Sequence, residues 1–268
     1  MVQRMVARSK DSNGYMRVAL ARLLALIFIL VVVAGVDAQE QTASANEVER
    51  LMSIAKTAQE EGHYDEAILA YRKVVALSKE SPKNAALAYF NAGTIYLQFK
   101  KYDEAANAFQ KSILLEPNSA EANNNLGEAL ASLKKYSQAV AAFQRAIALD
   151  HNLLIAQLNI GLAYGQMGQL KYAEFVYKVL NRDNPNYALG YDGMAVTLAK
   201  SGRAREAIPL HEKAISLSPD SPAFYYNFGI SYLVLGNTER ALEQNEKLLQ
   251  LDPLAANRLA ILIAKHQK

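Results

Sequence analysis

The sequence predicts an all-α repeat solenoid, and three recurring features predict it. Closely similar segments begin at Tyr64, Tyr102 and Tyr136. An alanine lies three residues after each start, and the series continues at intervals of 34 residues after a first interval of 38. The prolines that follow these segments recur at multiples of the same interval. A period of about 20 to 50 residues is typical of solenoids, in which each unit buries its apolar face against the next.

The repeat divides residues 48–255 into six units, and each unit has the alanine at its twentieth position. The units are 48–85, 86–119, 120–153, 154–187, 188–221 and 222–255. The alanines are Ala67, Ala105, Ala139, Ala173, Ala207 and Ala241. Four extra residues around Ser81 and Pro82 lengthen the first unit. A proline at the thirty-second position of four units ends the preceding helix, because proline cannot continue it.

The eighth position of every unit is also small, and large residues recur at two other positions. The small residues are Ala55, Gly93, Gly127, Gly161, Ala195 and Gly229. Tyrosine or leucine is common at the eleventh position, and the twenty-fourth is Tyr71, Phe109, Phe143 and Tyr177 in the first four units. We expect the large side chains to fill the space above the small ones, where two helices approach closely.

This pattern resembles the tetratricopeptide repeat over about residues 48–255. The resemblance implies a right-handed superhelical solenoid in which each unit is a pair of antiparallel helices. It also implies that the first helices of successive units line a concave groove. Residues 256–268 are predicted to form a helix that caps the last apolar face. His211 and Asn245 depart from the pattern, because they are polar at the twenty-fourth position, where a large apolar side chain is expected.

The N-terminus predicts export. An apolar run at 23–36 follows five basic residues, and it is short for a bilayer span. Small residues precede Gln39, so we predict a signal peptide over 1–38 that is cleaved after Ala38. The alternative is an uncleaved helix that anchors the protein to the inner membrane. Either places the remaining chain outside the cytoplasm, in the periplasm or secreted. Residues 39–47 are polar and are predicted to be a linker.

Composition excludes several function classes. Of 29 basic and 26 acidic residues, five basic and two acidic ones lie within 1–38, which leaves 24 of each sign. A neutral body lacks the basic stripe that nucleic-acid binding requires. Cysteine is absent, so a thiol nucleophile and a thiolate metal site are excluded. The four histidines are far apart in sequence, so we expect no metal site, and we expect no cofactor or catalytic residue.

The predicted binding surface is the groove, whose residues follow from the resemblance. It implies that the second, fifth, sixth, ninth, twelfth and thirteenth positions of each unit face inward. The sixth position is asparagine in four units, and an amide can both donate to and accept from a peptide backbone. Ancestry or helix-end bonding would explain the same asparagines without binding. The predicted groove residues are Phe90, Asn91, Asn124, Asn125, Leu158, Asn159, Leu162, Tyr226, Asn227 and Ile230.

Some tetratricopeptide domains bind a C-terminal carboxylate through basic residues at the second, fifth and sixth positions, and this chain lacks that set. We therefore expect the groove to hold an apolar or amphipathic segment of a partner protein. The predicted function is a non-catalytic scaffold in the cell envelope. A regulatory or substrate-docking subunit of a separately encoded envelope enzyme is the alternative, and a self-associating structural solenoid is a third possibility. The oligomeric state stays open.

Overall fold

A computed structural model describes residues 44–78 and 81–266, together with residues 30, 34 and 42. The predicted signal peptide, apart from residues 30 and 34, lies outside the described residues. Thirteen helices and no strand are formed by 44–78 and 81–266. The helices are α1 (44–60), α2 (Tyr64–Leu77), α3 (Pro82–Gln98), α4 (Tyr102–Leu115), α5 (Ala120–Ser132), α6 (Tyr136–Leu149), α7 (Leu154–Gln166), α8 (Leu170–Asp183), α9 (Ala188–Lys200), α10 (Ala204–Leu217), α11 (Pro222–Val234), α12 (Thr238–Leu251) and α13 (Pro253–His266). The predicted all-α repeat solenoid is confirmed.

The described residues form two compact parts, one within residues 1–85 and the other within residues 86–268. In the first, α1 and α2 bury small and aliphatic side chains such as Ala55 and Ala67. The hydroxyl of Tyr71 donates to Oε1 of Gln59 at 3.0 Å and so links α2 to α1. The described residues of the predicted 39–47 linker are helical, and residues 44–47 form the first turn of α1. An ion pair of Arg50 with Glu47 at 2.7 Å supports this first turn.

Within residues 86–268, the first and second helices of successive repeats alternate along the chain and form two layers. The first helices α5, α7, α9 and α11 each contact the next first helix. The second helices α6, α8 and α10 pack against the first helices that precede and follow them in the chain. This is the arrangement of a helical solenoid, in which every unit covers the apolar face of its neighbour.

Close approach of helices depends on the eighth-position glycines. A Cβ atom added to Gly127 would lie 2.5 Å from Cε1 of Phe143, and one added to Gly161 would lie 2.5 Å from Cζ of Tyr177. Phe143 and Tyr177 are each 1% exposed, so their rings cannot move aside into solvent. The aromatic of the second helix therefore occupies the space that the glycine of the first helix leaves empty.

The turn inside each pair has a left-handed residue at the fifteenth position of the unit. Four of these residues are glycine, for which a positive φ carries no steric cost. The other two are Lys100 and Lys134, with φ of 59° and 61°. Only the glycine turns carry a signal in the sequence, because lysine has no preference for this conformation.

Two helices begin earlier than the repeat boundaries predict. α3 begins at Pro82, because the four extra residues of the first unit form its first turn. α13 begins at Pro253, three residues before the predicted cap. The carboxylate of Asp252 accepts from the backbone N–H groups of Leu254 and Ala255, each at 3.0 Å, and so satisfies the first turn of α13. Leu259 and Ile263 of α13 are buried in the last core cluster of the chain.

Two glycines of α7 give a matched test of this packing. We expect Gly161→Ala to lower the free energy of unfolding by about 1 to 3 kcal/mol, because its Cβ would overlap the buried Tyr177 ring. Gly165 has no atom near the position of an added Cβ. Gly165→Ala should therefore raise stability by about 0.5 to 1 kcal/mol through helix propensity alone. Urea denaturation measures both, and equal effects of the same sign would contradict the packing argument.

Candidate functional site

The candidate surface is the solvent-facing side of the first helices, which we call the inner face. It comprises the exposed side chains of α5, α7, α9 and α11 and of residues 86–98 of α3. Along α5 to α11, the first helices contact one another directly, which brings side chains from successive units together.

An amide cluster on the inner face joins the third and fourth units. Nδ2 of Asn124 donates to Oδ1 of Asn125 at 3.2 Å and to Oε1 of Glu128 at 3.3 Å. Nδ2 of Asn159 donates to Oε1 of the same Glu128 at 3.4 Å and to Oδ1 of Asn124 at 3.5 Å. One carboxylate oxygen thus holds two amides in place. Three of the predicted groove asparagines are brought together here.

A cavity of about 450 Å³ opens beside this cluster on the inner face. Its polar lining comes from Glu128 and Asn159, with Ser132 and Gln166 at the ends of α5 and α7. Its apolar lining is Ala131, Tyr136, Phe143, Leu162 and Ala163. This volume lies in the range of small-molecule and side-chain sites, and a few polar groups among apolar walls are typical of such sites.

The other predicted groove residues are more dispersed. Asn124 and Leu158 are buried, with 6% and 7% exposure, so they pack beneath the solvent-facing side chains of the inner face. Leu162 is 47% exposed and contributes most directly to it. The remaining residues are half-buried, and three of them also pack against core clusters: Phe90 against Phe109, and Tyr226 and Ile230 against the C-terminal cluster. Asn91 is half-buried on α3 and is not linked to the amide cluster by a described hydrogen bond.

A smaller cavity of about 130 Å³ adjoins the first, and the two share Leu162 and Gln166. Gly193 lines it at the sixth position, where four other units have asparagine. Asp192, Thr197, Lys200 and Asn227 also contribute to its polar lining. The inner face therefore carries two adjoining depressions from α5 to α11.

A buried polar network underlies the smaller cavity. Oδ2 of Asp192 accepts from Nδ2 of Asn227 at 2.8 Å, and Oδ1 of Asp192 lies 3.1 Å from Nδ1 of His211. Nε2 of His211 lies 2.9 Å from the hydroxyl of Ser231. His211 occupies the position of an aromatic in other units, and its ring stacks on Phe228 with centroids 5.1 Å apart. This explains how a polar residue is accommodated there.

The order Ser231, His211, Asp192 is that of a hydrolytic triad, but burial opposes a catalytic role. His211 is 0% exposed and Ser231 is 1% exposed. A substrate therefore has no access to the hydroxyl. The three side chains satisfy one another and fix α9, α10 and α11 relative to each other. Burial, with the nearby charge of Asp192, also raises the pKa of the Tyr177 phenol far above its ordinary value, so that this group stays neutral.

A further depression of about 390 Å³ lies away from the inner face. Residues of α6, α7 and α8 line it. Tyr172 and Phe175 line it and are 62% and 67% exposed. Tyr172 stacks on Tyr164 with centroids 5.4 Å apart. Its lining is more apolar than that of the inner-face cavities and includes no amide cluster.

Within the described part of the chain, no group of three or more acidic or histidine side chains is placed to hold a metal ion. No helix of that part is long and apolar enough to cross a membrane.

Sequence reasoning missed the acidic residues that organise the inner face. Glu128 lies at the ninth position of its unit, which the repeat pattern already assigns to the inner side. The charge at that position is the signal that could have found it. Tyr136 and Phe143, which also line this cavity, belong to a second helix, and no positional signal in the sequence places them there.

Three family models match the chain, and all describe the tetratricopeptide repeat. They cover residues 47–113, 90–152 and 198–265, which together are more than half of the 268 residues. None of these models describes an enzyme. A search of curated protein sequences gave no match.

Solved structures of similar fold include PilW, a widely conserved type IV pilus biogenesis factor. It is 26% identical, with a TM-score of 0.63, and the match covers 77% of this chain and 94% of PilW. A tetratricopeptide repeat protein from Parabacteroides merdae has a TM-score of 0.72 at 19% identity, covering 83% and 87% of the two chains. Pseudomonas aeruginosa pilF has a TM-score of 0.60 at 17% identity, covering 82% and 99%.

The polar network gives a stability prediction. We expect Asp192→Ala to lower the free energy of unfolding by about 2 to 4 kcal/mol, because Asn227 and His211 lose a buried acceptor. The control is Asp183→Ala, which removes an exposed carboxylate whose ion pair within the described residues is with its neighbour Arg182. This control should leave the urea midpoint unchanged. Equal midpoints for both variants would show that the network does not stabilise the fold.

Proposed function

We propose that this chain, which belongs to the tetratricopeptide repeat family, is a non-catalytic scaffold of the cell envelope. In this proposal its inner face holds an extended segment of a partner polypeptide. The observation that carries the proposal is the cavity of about 450 Å³, which Asn159 lines together with apolar side chains, beside the amide cluster that Asn159 forms with Asn124 and Asn125. Extended concave surfaces of this kind are what repeat proteins use for binding.

The amides of the inner face still have hydrogen-bonding capacity. Within the described residues, Nδ2 of Asn125 makes no hydrogen bond, and the side chain of Asn91 makes none either. Oδ1 of Asn159 accepts none. Donors and acceptors on rigid helices suit the N–H and C=O groups of an extended peptide, whatever its sequence. Apolar side chains such as Leu162 would then contact the side chains of that peptide.

Asn227 has the same position in its unit but a different role. Its Nδ2 is already held by Asp192 at 2.8 Å beneath the smaller cavity. We therefore assign peptide binding to Asn91, Asn125 and Asn159, and we assign a structural role to Asn227. The sixth-position asparagines thus fall into two classes that the sequence alone cannot separate.

Two observations support an envelope location. The basic N-terminus followed by an apolar run predicts export. PilW, which is 26% identical over most of its length, is a type IV pilus biogenesis factor. Assembly of an envelope structure is therefore the process in which we place this scaffold. The alternative, a docking subunit of an envelope enzyme, would use the same inner face and differ only in the partner.

Site-specific photocrosslinking tests the location of the binding surface. A photoreactive residue would replace Leu162 on the inner face or Phe175 on the opposite side, both of them exposed apolar positions. In the source organism we expect a crosslinked partner at 162 and none at 175. Its identity by mass spectrometry separates an assembly factor from an enzyme. Crosslinks at 175 alone, or at neither position, would overturn the proposal.

The amides can be tested with a matched variant. We expect Asn91→Ala with Asn125→Ala to weaken binding of the crosslinked partner by about 1 to 3 kcal/mol, because two backbone hydrogen bonds are lost. The unfolding midpoint should barely change, since neither donor is used among the described residues and Nδ2 of Asn124 keeps Glu128 as an acceptor when Asn125 is replaced. Asn227→Ala should instead lower the midpoint. Titration calorimetry with the purified partner measures affinity, and an unchanged Kd for the double variant would rule out the role of the amides.

A further inference from the structure

We infer that the partner segment carries a lysine or arginine side chain, which enters the larger inner-face cavity and pairs with Glu128. This inference rests on the proposed function and names the chemistry that the surface selects. It starts from the unequal use of the two oxygens of Glu128. Oε1 accepts from Asn124 and Asn159, whereas Oε2 accepts no hydrogen bond from any described residue.

Glu128 also has no charge partner among the described residues. No lysine or arginine in the described ranges comes within ion-pair distance of it. It is half-buried, at the edge of a cavity that has both apolar and polar lining. A carboxylate that is partly removed from water without a counter-charge gains strongly from a cation that arrives with a ligand.

The walls of the cavity suit the rest of a basic side chain. Lysine and arginine have aliphatic stems that pack against apolar surface while the charged end reaches a polar group. Leu162 and the rings of Tyr136 and Phe143 line this cavity together with Glu128. A long apolar stem that ends in a positive charge therefore matches the lining better than a purely aliphatic or an acidic side chain does.

The other charges of the inner face direct the cation to Glu128. Asp192 is buried beneath the smaller cavity, and its two oxygens already contact Asn227 and His211. Lys200 lines that cavity and would repel a second cation. Glu121 is exposed on the same helix as Glu128 but lines neither cavity. Among the described acidic residues of the inner face, Glu128 is thus the one that both lines a cavity and has a carboxylate oxygen without a hydrogen bond.

Selection from a peptide library tests the inference even while the natural partner is unidentified. A phage-displayed library of random dodecapeptides would be selected on the immobilised full chain, on Glu128→Gln and on Glu121→Gln. Glutamine keeps the oxygen that holds Asn124 and Asn159, so the fold should be unchanged, as circular dichroism can verify. We expect lysine or arginine between apolar residues to be enriched by the wild type and by Glu121→Gln. The enrichment should be lost with Glu128→Gln.

A selected peptide then allows a double-mutant cycle by fluorescence anisotropy. We expect Glu128→Gln to weaken its binding about tenfold. Replacement of the basic residue by methionine, which keeps the apolar stem, should cost the same factor in the wild type and nothing further in Glu128→Gln. Additive losses would overturn the pairing.

The two proposals fail in different ways. Selected peptides without basic residues, bound equally by wild type and Glu128→Gln, would refute the inference and leave the peptide-binding scaffold intact. Recovery of no peptide at all would count against the scaffold proposal, and the inference would fall with it.

Discussion

The fold of the second, third and fourth units depends on one steric relation, a glycine on the first helix under an aromatic side chain on the second. Gly127 under Phe143 and Gly161 under Tyr177 are examples, and the aromatic rings are almost completely buried. Because this contact sets the distance between the layers, it also decides how closely the first helices can approach one another. The side chains of the inner face meet across units only because the layer beneath them is packed this tightly. Stability and binding therefore rest on the same contact.

Most of the fold could be predicted because this relation recurs at fixed intervals in the sequence. What escaped prediction was local. The left-handed turns at Lys100 and Lys134 carry no residue that favours a positive φ, so only the tertiary context fixes them. The early start of α3 at Pro82 reflects an insertion that extends a helix, where a loop is equally consistent with the sequence. The helical residues at 44–47 lie in a polar segment without apolar periodicity.

The sequence predicts where the candidate site lies, but it does not predict which of its side chains are hydrogen-bonded to one another. The sixth-position asparagines are visible in the sequence, yet nothing in it separates Asn125, with an uncommitted donor, from Asn227, which is held by Asp192. That difference arises from residues about 35 positions away in the chain. The sequence analysis did not name Glu128, although its ninth position is one that the repeat pattern places on the inner side. The hydrogen bonds to its Oε1 come from amides of two different units, Asn124 and Asn159. Hydrogen-bond partners across a repeat boundary are a three-dimensional property that a periodic pattern does not encode.

The polar network around His211 has a consequence for the evolution of the chain. Asp192 and His211 belong to the fifth unit, and Ser231 and Asn227 belong to the sixth. Repeat proteins change length by duplicating or losing whole modules, which succeeds where every junction is the same. A junction that requires four matched polar side chains accepts only one neighbour, since any other module would leave buried groups without partners. The network therefore couples the last two modules, because replacing either one alone would leave buried polar groups of the other without partners.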